Sequence, residues 1–284
     1  MSMKKIVWIC LLSSLLASDT ITIDSLYKKQ YGLRSITTLS ILSSGNANTY
    51  SLYPDITIQG NQIVWSGSKA LYLNQTFIYS LMSKLDFITS VSGSFVHREY
   101  THYQTGSLLH RNETRFDAFW FGFLYSFDSV GDMIPQISLQ TSAVQKEKMN
   151  EERKNFYFQS QSLQLALRGY SDPVVYSIYL GAGYNQPRKF TLGKVDYGSS
   201  LSMGGNLSIV LSPKITLDLG AEQRFQTAQK INGNTNSQMQ SIPTISAGST
   251  YSINADTSIA FSASLGGSSA APDAIFGISL WKKF

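Results

Sequence analysis

Along most of this chain, apolar and small polar residues alternate one for one. Leu201, Met203, Leu207, Ile209 and Leu211 interleave with Ser200, Ser202, Asn206 and Ser208, and Ile259, Phe261, Ala263 and Leu265 interleave with Ser258, Ser262 and Ser264. Leu85, Phe87, Val91 and Phe95 oppose Asp86, Ser90, Ser92 and Ser94, while Ile215, Leu217, Leu219 and Phe225 oppose Thr216, Asp218, Glu222 and Arg224. A period of two marks strands with one apolar and one polar face. The pattern predicts twelve strands, near 33–43, 70–82, 84–97, 113–127, 134–146, 156–169, 173–186, 199–211, 214–228, 241–252, 256–266 and 273–284. A second possible hairpin, Asp55–Ile58 with Gln62–Trp65, makes fourteen the alternative count.

The connections decide which way the apolar faces point. Long ones (44–69, 98–112, 147–155, 187–198, 229–240, 267–272) alternate with short ones at Met82-Ser83, Asp128–Met133, Tyr170–Asp172, Ser212-Pro213 and Asn254–Asp256. Tight turns on one side and longer loops on the other are how transmembrane barrels are built, with apolar residues outward and polar ones inward. The expected fold is therefore all-β, a transmembrane antiparallel up-and-down barrel covering residues 33–284. Its last strand carries Phe276, Ile278 and Leu280 on one face and ends on Phe284, a tail similar to the terminal signal read by the bacterial barrel-assembly machinery. Lys282 stands where that signal has an apolar or aromatic residue.

Composition agrees. Charged residues are 14% of the chain, against ~25% in ordinary soluble domains, yet no stretch after the N-terminus is apolar enough for a membrane helix. Lys4 and Lys5 precede an apolar run, Ile6–Leu16, which is shorter than the ~20 residues that span a bilayer. Residues 1–18 are the expected export leader, cut after Ala17 or Ser18. Cys10, the one cysteine, lies inside it, so the exported chain has no disulfide. A net charge of +5 without a basic cluster points away from nucleic acid. Residues 19–32 are expected to form an N-terminal periplasmic segment. There Thr22 or Asp24 could cap a short helix bearing Leu26 and Tyr27, a candidate plug for the barrel. Both termini are expected in the periplasm of a Gram-negative cell.

Asp172-Pro173-Val174-Val175-Tyr176 with Tyr184, Tyr197-Gly198 leading to Ser212-Pro213, and Ser269–Phe276 are similar to segments of a known outer-membrane barrel family. It is the family labelled "MetA-pathway of phenol degradation", related to the functional-amyloid export channel (FapF). The resemblance implies a channel or transporter rather than an enzyme, in contact with outer-membrane lipid and lipopolysaccharide, and a homotrimer as a candidate assembly. It also brings export of an amyloid-like polypeptide as an alternative cargo, although the long periplasmic coiled coil of that exporter is lacking here. A non-conducting surface or adhesion protein is the other alternative.

Candidate chemistry is sparse. Asp86, Arg168, Asp218, Glu222 and Arg224 are charges within strands, expected to line the lumen or to brace it by ion pairing. His97, His102 and His110 fall in or beside one outer loop with Glu99 and Glu113 nearby, at spacings matching no rigid metal motif. They are expected to be solvated loop residues, and neither a metal nor any cofactor is expected. A serine near His97 is not enough for a hydrolase among so many serines. The mixed run Lys146–Lys154 is expected to be a solvated loop tip, with lipopolysaccharide binding as the alternative.

Overall fold

Tight turns join the strands at one end of the molecule. Ser212 Oγ accepts the N–H groups of Lys214 and Ile215 at the Pro213 turn, and Asn254 Oδ1 accepts the N–H of Asp256 at the next one. The computed structural model describes residues 32–44, 63–102, 108–149, 152–235, 237–267 and 274–284. The expected leader, plug helix and hairpin at 55–58 lie outside these residues. The strands are β1 (Leu33–Ser44), β2 (Ile63–Ser80), β3 (Leu85–His102), β4 (Leu108–Ser126), β5 (Met133–Met149), β6 (Glu152–Phe156), β7 (Ser160–Ser171), β8 (Val174–Asn185), β9 (Arg188–Phe190), β10 (Gly193–Asp196), β11 (Ser200–Ser212), β12 (Ile215–Gln226), β13 (Lys230–Ile231), β14 (Asn234–Thr235), β15 (Gln240–Asn254), β16 (Thr257–Gly266) and β17 (Ala274–Lys283).

Twelve of them form a closed antiparallel barrel, with β6 added beside β5 and a small sheet of β9, β10, β13 and β14 built from two loops. The barrel closes where β1 meets β17, in register from Arg34 opposite Lys283 to Ser43 opposite Ala274. The Phe284 N–H donates to the Leu33 carbonyl at 2.9 Å, which sets the end of the seam. The barrel count is twelve, and Ile63–Trp65 from the second half of the alternative hairpin belong to β2 instead.

Alternation then sorts the faces. Leu39 and Ile41 on β1, Leu71 and Leu73 on β2, Ile178 and Leu180 on β8, Leu201 and Met203 on β11, and Phe276 and Ile278 on β17 are all exposed. Such side chains recur around the whole barrel and form an apolar band. In water, a monomer's largest apolar patch is roughly 300–600 Å²; a complete belt requires lipid. At the short-turn end, Tyr79, Tyr125, Phe127, Tyr251 and Phe284 are exposed aromatics, as at a membrane interface. The Lys282 ammonium sits 5.2 Å from the Phe284 ring centroid, so the departure from the terminal signal is accommodated by a cation–π contact.

Two expectations for the loop end are corrected. The loop predicted over 98–112 is mostly strand, because β3 and β4 stay paired from Leu85–Tyr125 up to Thr101–Leu108. The run Lys146–Lys154 is only partly solvated: Arg153 and Lys154 are exposed, but Glu147 and Lys148 are buried, since β5 continues past its barrel partners and pairs with β6.

The face assignment has a direct test. Ile278 lies mid-strand on the apolar exterior and Ser279 on the opposite face, bonded to Thr38. Ile278→Arg is expected to lower the unfolding free energy in lipid vesicles by roughly 2–4 kcal/mol. Ser279→Arg should cost less than half of that in the same urea titration; equal losses would contradict the assignment.

Candidate functional site

The inward faces of β5, β7, β8, β11, β12 and β15 are small and polar, so the barrel is not filled from that side. Gln136, Ser138, Gln164, Arg168, Tyr179, Asn206, Ser208 and Asp218 surround a cavity of about 520 Å³ in the half nearer the short turns. An eight-stranded barrel is nearly filled by its own side chains; twelve strands leave room.

The five charges expected at the lumen have separate environments. Arg168 and Asp218 both line the cavity. Asp218 accepts hydrogen bonds from Ser208 Oγ at 2.6 Å and Thr250 Oγ1 at 2.8 Å, one to each carboxylate oxygen. Glu222, two periods of the alternation further along β12, accepts from the Tyr179 hydroxyl at 2.6 Å. Gly204 makes that bond possible: a Cβ there would lie 2.5 Å from the Tyr179 hydroxyl and 2.7 Å from the Ala221 carbonyl. Arg224 follows Glu222 on the same face of β12. Asp86 is different. It is almost fully buried, pairs with Arg34 at 3.0 Å and accepts from Ser80 at 2.7 Å, bracing the wall near the β1 end.

At the opposite mouth the interior is partly filled. Arg188, 1% exposed, leaves the rim and reaches inward positions of two barrel strands, β5 and β7. Its Nε donates to Glu147 at 3.0 Å, and its Nη2 donates to Gln145 at 2.8 Å and to Ser160 at 2.7 Å. Its Nη1 donates to the carbonyls of Gln159 and Gln186. The guanidinium also lies 5.8 Å from the Phe156 ring and 5.5 Å from the Tyr197 ring. Above it Met149, Phe156, Phe190, Val195 and Tyr197 form a buried apolar cluster that ties β5, β6 and the small sheet together. Burial first, then the adjacent Glu147 charge, pushes the Tyr197 phenol well above its ordinary pKa. A second apolar cluster, Leu42, Ala70 and Val96 with Tyr72 and Ile275, covers the β1–β3 side of the interior.

Glu113 anchors the β5–β6 hairpin to β4. It accepts from Lys148 at 3.3 Å and from Arg153 at 2.7 Å. Burial pulls its carboxyl up, but Lys148, then Arg153 and Arg115, outweigh that and hold it below its ordinary value.

His97 and His110 lie on paired strands, not in a loop, and the His97 ring nitrogens face Asn112 and Glu99 rather than a serine. Arg34, Tyr179, Gln145 and Arg188 escaped sequence reading, and Glu147 was read only as part of a loop tip. Arg34 was legible, since it shares the face of Thr38; Arg188 was not, because nothing in Pro187-Arg188-Lys189 indicates a residue that turns inward.

No protein-family model matches the chain, and no curated protein matches it in sequence. Solved structures do match in fold. The chain is similar to the COG4313 outer membrane channel from Pseudomonas putida F1, with a TM-score of 0.63 at 10% identity over 94% of this chain and 99% of that one. It is also similar to the NanC porin (0.53, 7% identity, 88% and 100%). A third likeness is to the translocator domain of the autotransporter NalP from Neisseria meningitidis (0.52, 11% identity, 99% and 96%).

Two outcomes are expected at the filled mouth. Arg188→Leu leaves the Glu147 carboxylate buried without its cation, a loss of about 3–5 kcal/mol. It should expose the 186–199 loop to limited proteolysis while the barrel stays folded by gel mobility. Because the folded pKa of Glu113 is depressed, its stabilising effect is present above the ordinary value of 4.5 and is lost as pH falls through the folded value. Hydrogen exchange in the β5–β6 hairpin should therefore accelerate on acidification below that point, and Glu113→Gln should abolish the added pH dependence.

Proposed function

We propose that this chain is a bacterial outer-membrane channel that passes small polar or hydrophobic solutes. The observation that carries this is the cavity of about 520 Å³ inside a closed barrel. Its polar wall cannot serve as a packed core, while the lipid-facing exterior leaves the protein nothing else to enclose. Arg168, Asp218, Glu222 and Arg224 are the proposed charges along the passage. Asp86 is assigned to the wall at its entrance, paired with Arg34. Fold similarity to an outer-membrane channel and a porin supports the reading.

The short turns share an end with Leu33 and Phe284, so the proposed orientation puts both termini in the periplasm. Phe276, Ile278, Leu280 and Phe284, all exposed on the exterior of β17, are the proposed insertion signal for the assembly machinery. Membership of the MetA-pathway family is likewise a proposal, resting on the short segments quoted above. Residues 19–31 are proposed as the gate. They join the barrel at Gly32, whose carbonyl accepts from the Ser80 N–H at the same mouth as Arg34 and Asp86.

Planar-bilayer recording of the purified protein tests both claims. Discrete conductance steps are expected, and Asp218→Asn with Glu222→Gln should shift ion preference toward anions. Deleting residues 19–31 should raise the open probability; an unchanged value removes the gate. If neither form conducts, the filled mouth around Arg188 favours a non-conducting surface protein instead.

A further inference from the structure

Above the apolar band, β3 and β4 continue as a paired ribbon, and its outward face carries chemistry that neither the lumen nor the membrane uses. Register places Glu99 directly opposite His110 and His97 opposite Asn112. With His97 and Glu99 two residues apart on one strand, all three side chains fall on one face. One ligand atom from each of His97, Glu99 and His110 lies within 4.8 Å of the others. The two imidazoles stack with centroids 5.5 Å apart and planes inclined by 19°. His97 Nδ1 is 2.6 Å from Asn112 Oδ1, and His97 Nε2 is 3.6 Å from Glu99 Oε1.

We propose that His97, Glu99 and His110 form a surface site for a divalent transition cation of the zinc class. The Asn112 oxygen can only accept, so the close contact places the His97 proton on Nδ1 and leaves the Nε2 lone pair free beside Glu99. A ligating histidine is normally held through its other nitrogen in this way. Two imidazoles and one carboxylate with a fourth position open to water are a zinc donor set. Zn–N and Zn–O bonds of about 2.1 Å in tetrahedral geometry need ligand atoms roughly 3.4 Å apart. His97 and Glu99 already stand close to that, and His110 needs only a rotamer adjustment on an exposed surface. The three groups are half-buried or exposed, so the ion has a free path. Lys69, exposed and opposite His97 on β2, is a neighbouring charge that opposes cation binding. Its long side chain can turn into solvent.

The test is calorimetric titration of ZnCl₂ into the detergent-extracted full-length protein. One zinc per chain is expected. His97→Ala and His110→Ala should each weaken binding at least tenfold, and Asn112→Ala roughly 10–100-fold through loss of orientation. His102→Ala is the control and should leave binding intact. Heat-modifiable gel migration checks that each barrel is folded, and His97→Gln and His110→Gln replace any variant that is not. Copper(II) resonance spectra should show two equivalent nitrogens, falling to one in each single substitution. Absence of saturable zinc binding, or equal binding by the protein lacking both histidines, overturns the site; so does loss of binding in His102→Ala alone.

Discussion

Inside a hydrocarbon layer no water is available to a backbone N–H or carbonyl, and each group left without a partner costs several kcal/mol. The β1–β17 seam is this protein's answer. Ten residue pairs, from Arg34 with Lys283 to Ser43 with Ala274, remove both edges of the sheet at once. The whole architecture follows from that closure. An open twelve-stranded sheet would present two ladders of bare polar groups to lipid. The even strand count brings both ends of the chain to the short-turn end, where the Phe284 N–H completes the seam on Leu33.

Closure also inverts the usual distribution of polarity. The apolar face of every strand goes outward, so hydrophobic burial between side chains contributes little inside the barrel. Its place is taken by hydroxyl, amide and charge contacts. Some brace the wall, as Arg34 does with Asp86. Others, such as Asp218 with Ser208 and Thr250, hold a carboxylate at the edge of a cavity with each oxygen bonded to a neutral hydroxyl. At the far mouth the order changes again. There the strands rise above the lipid, and β5, β6 and two loops recover an ordinary buried core around Phe156 and Val195, with Arg188 beneath it.

The barrel was legible residue by residue because lipid imposes a period of two that no loop or core position disturbs. Predicted strands such as 214–228 and 256–266 differ from β12 and β16 by only one or two residues at either end. Legibility failed where that constraint ends. Beyond the membrane, β3 and β4 keep pairing through a segment rich in charge and histidine, which without a lipid-facing alternation resembles a loop. β6 and the small sheet are too short to carry a period at all. The inward reach of Arg188 depends on where the backbone places the rim, and spacing along the chain does not encode that.

The sequence by itself determined that the chain forms membrane-crossing strands and which face of each is polar, while leaving their number at twelve or fourteen. These properties depend on side chains one and two residues apart, and an unaligned sequence displays them fully. Only the tertiary structure decided which residues meet across strands. Asp86 has its cation on β1, fifty-two residues away in sequence. Glu222 has its hydroxyl on β8, and His97 has its neighbours on β4. Register between strands is set by the turns and the seam together. It selects one cross-strand partner for each residue from many that alternation alone would allow.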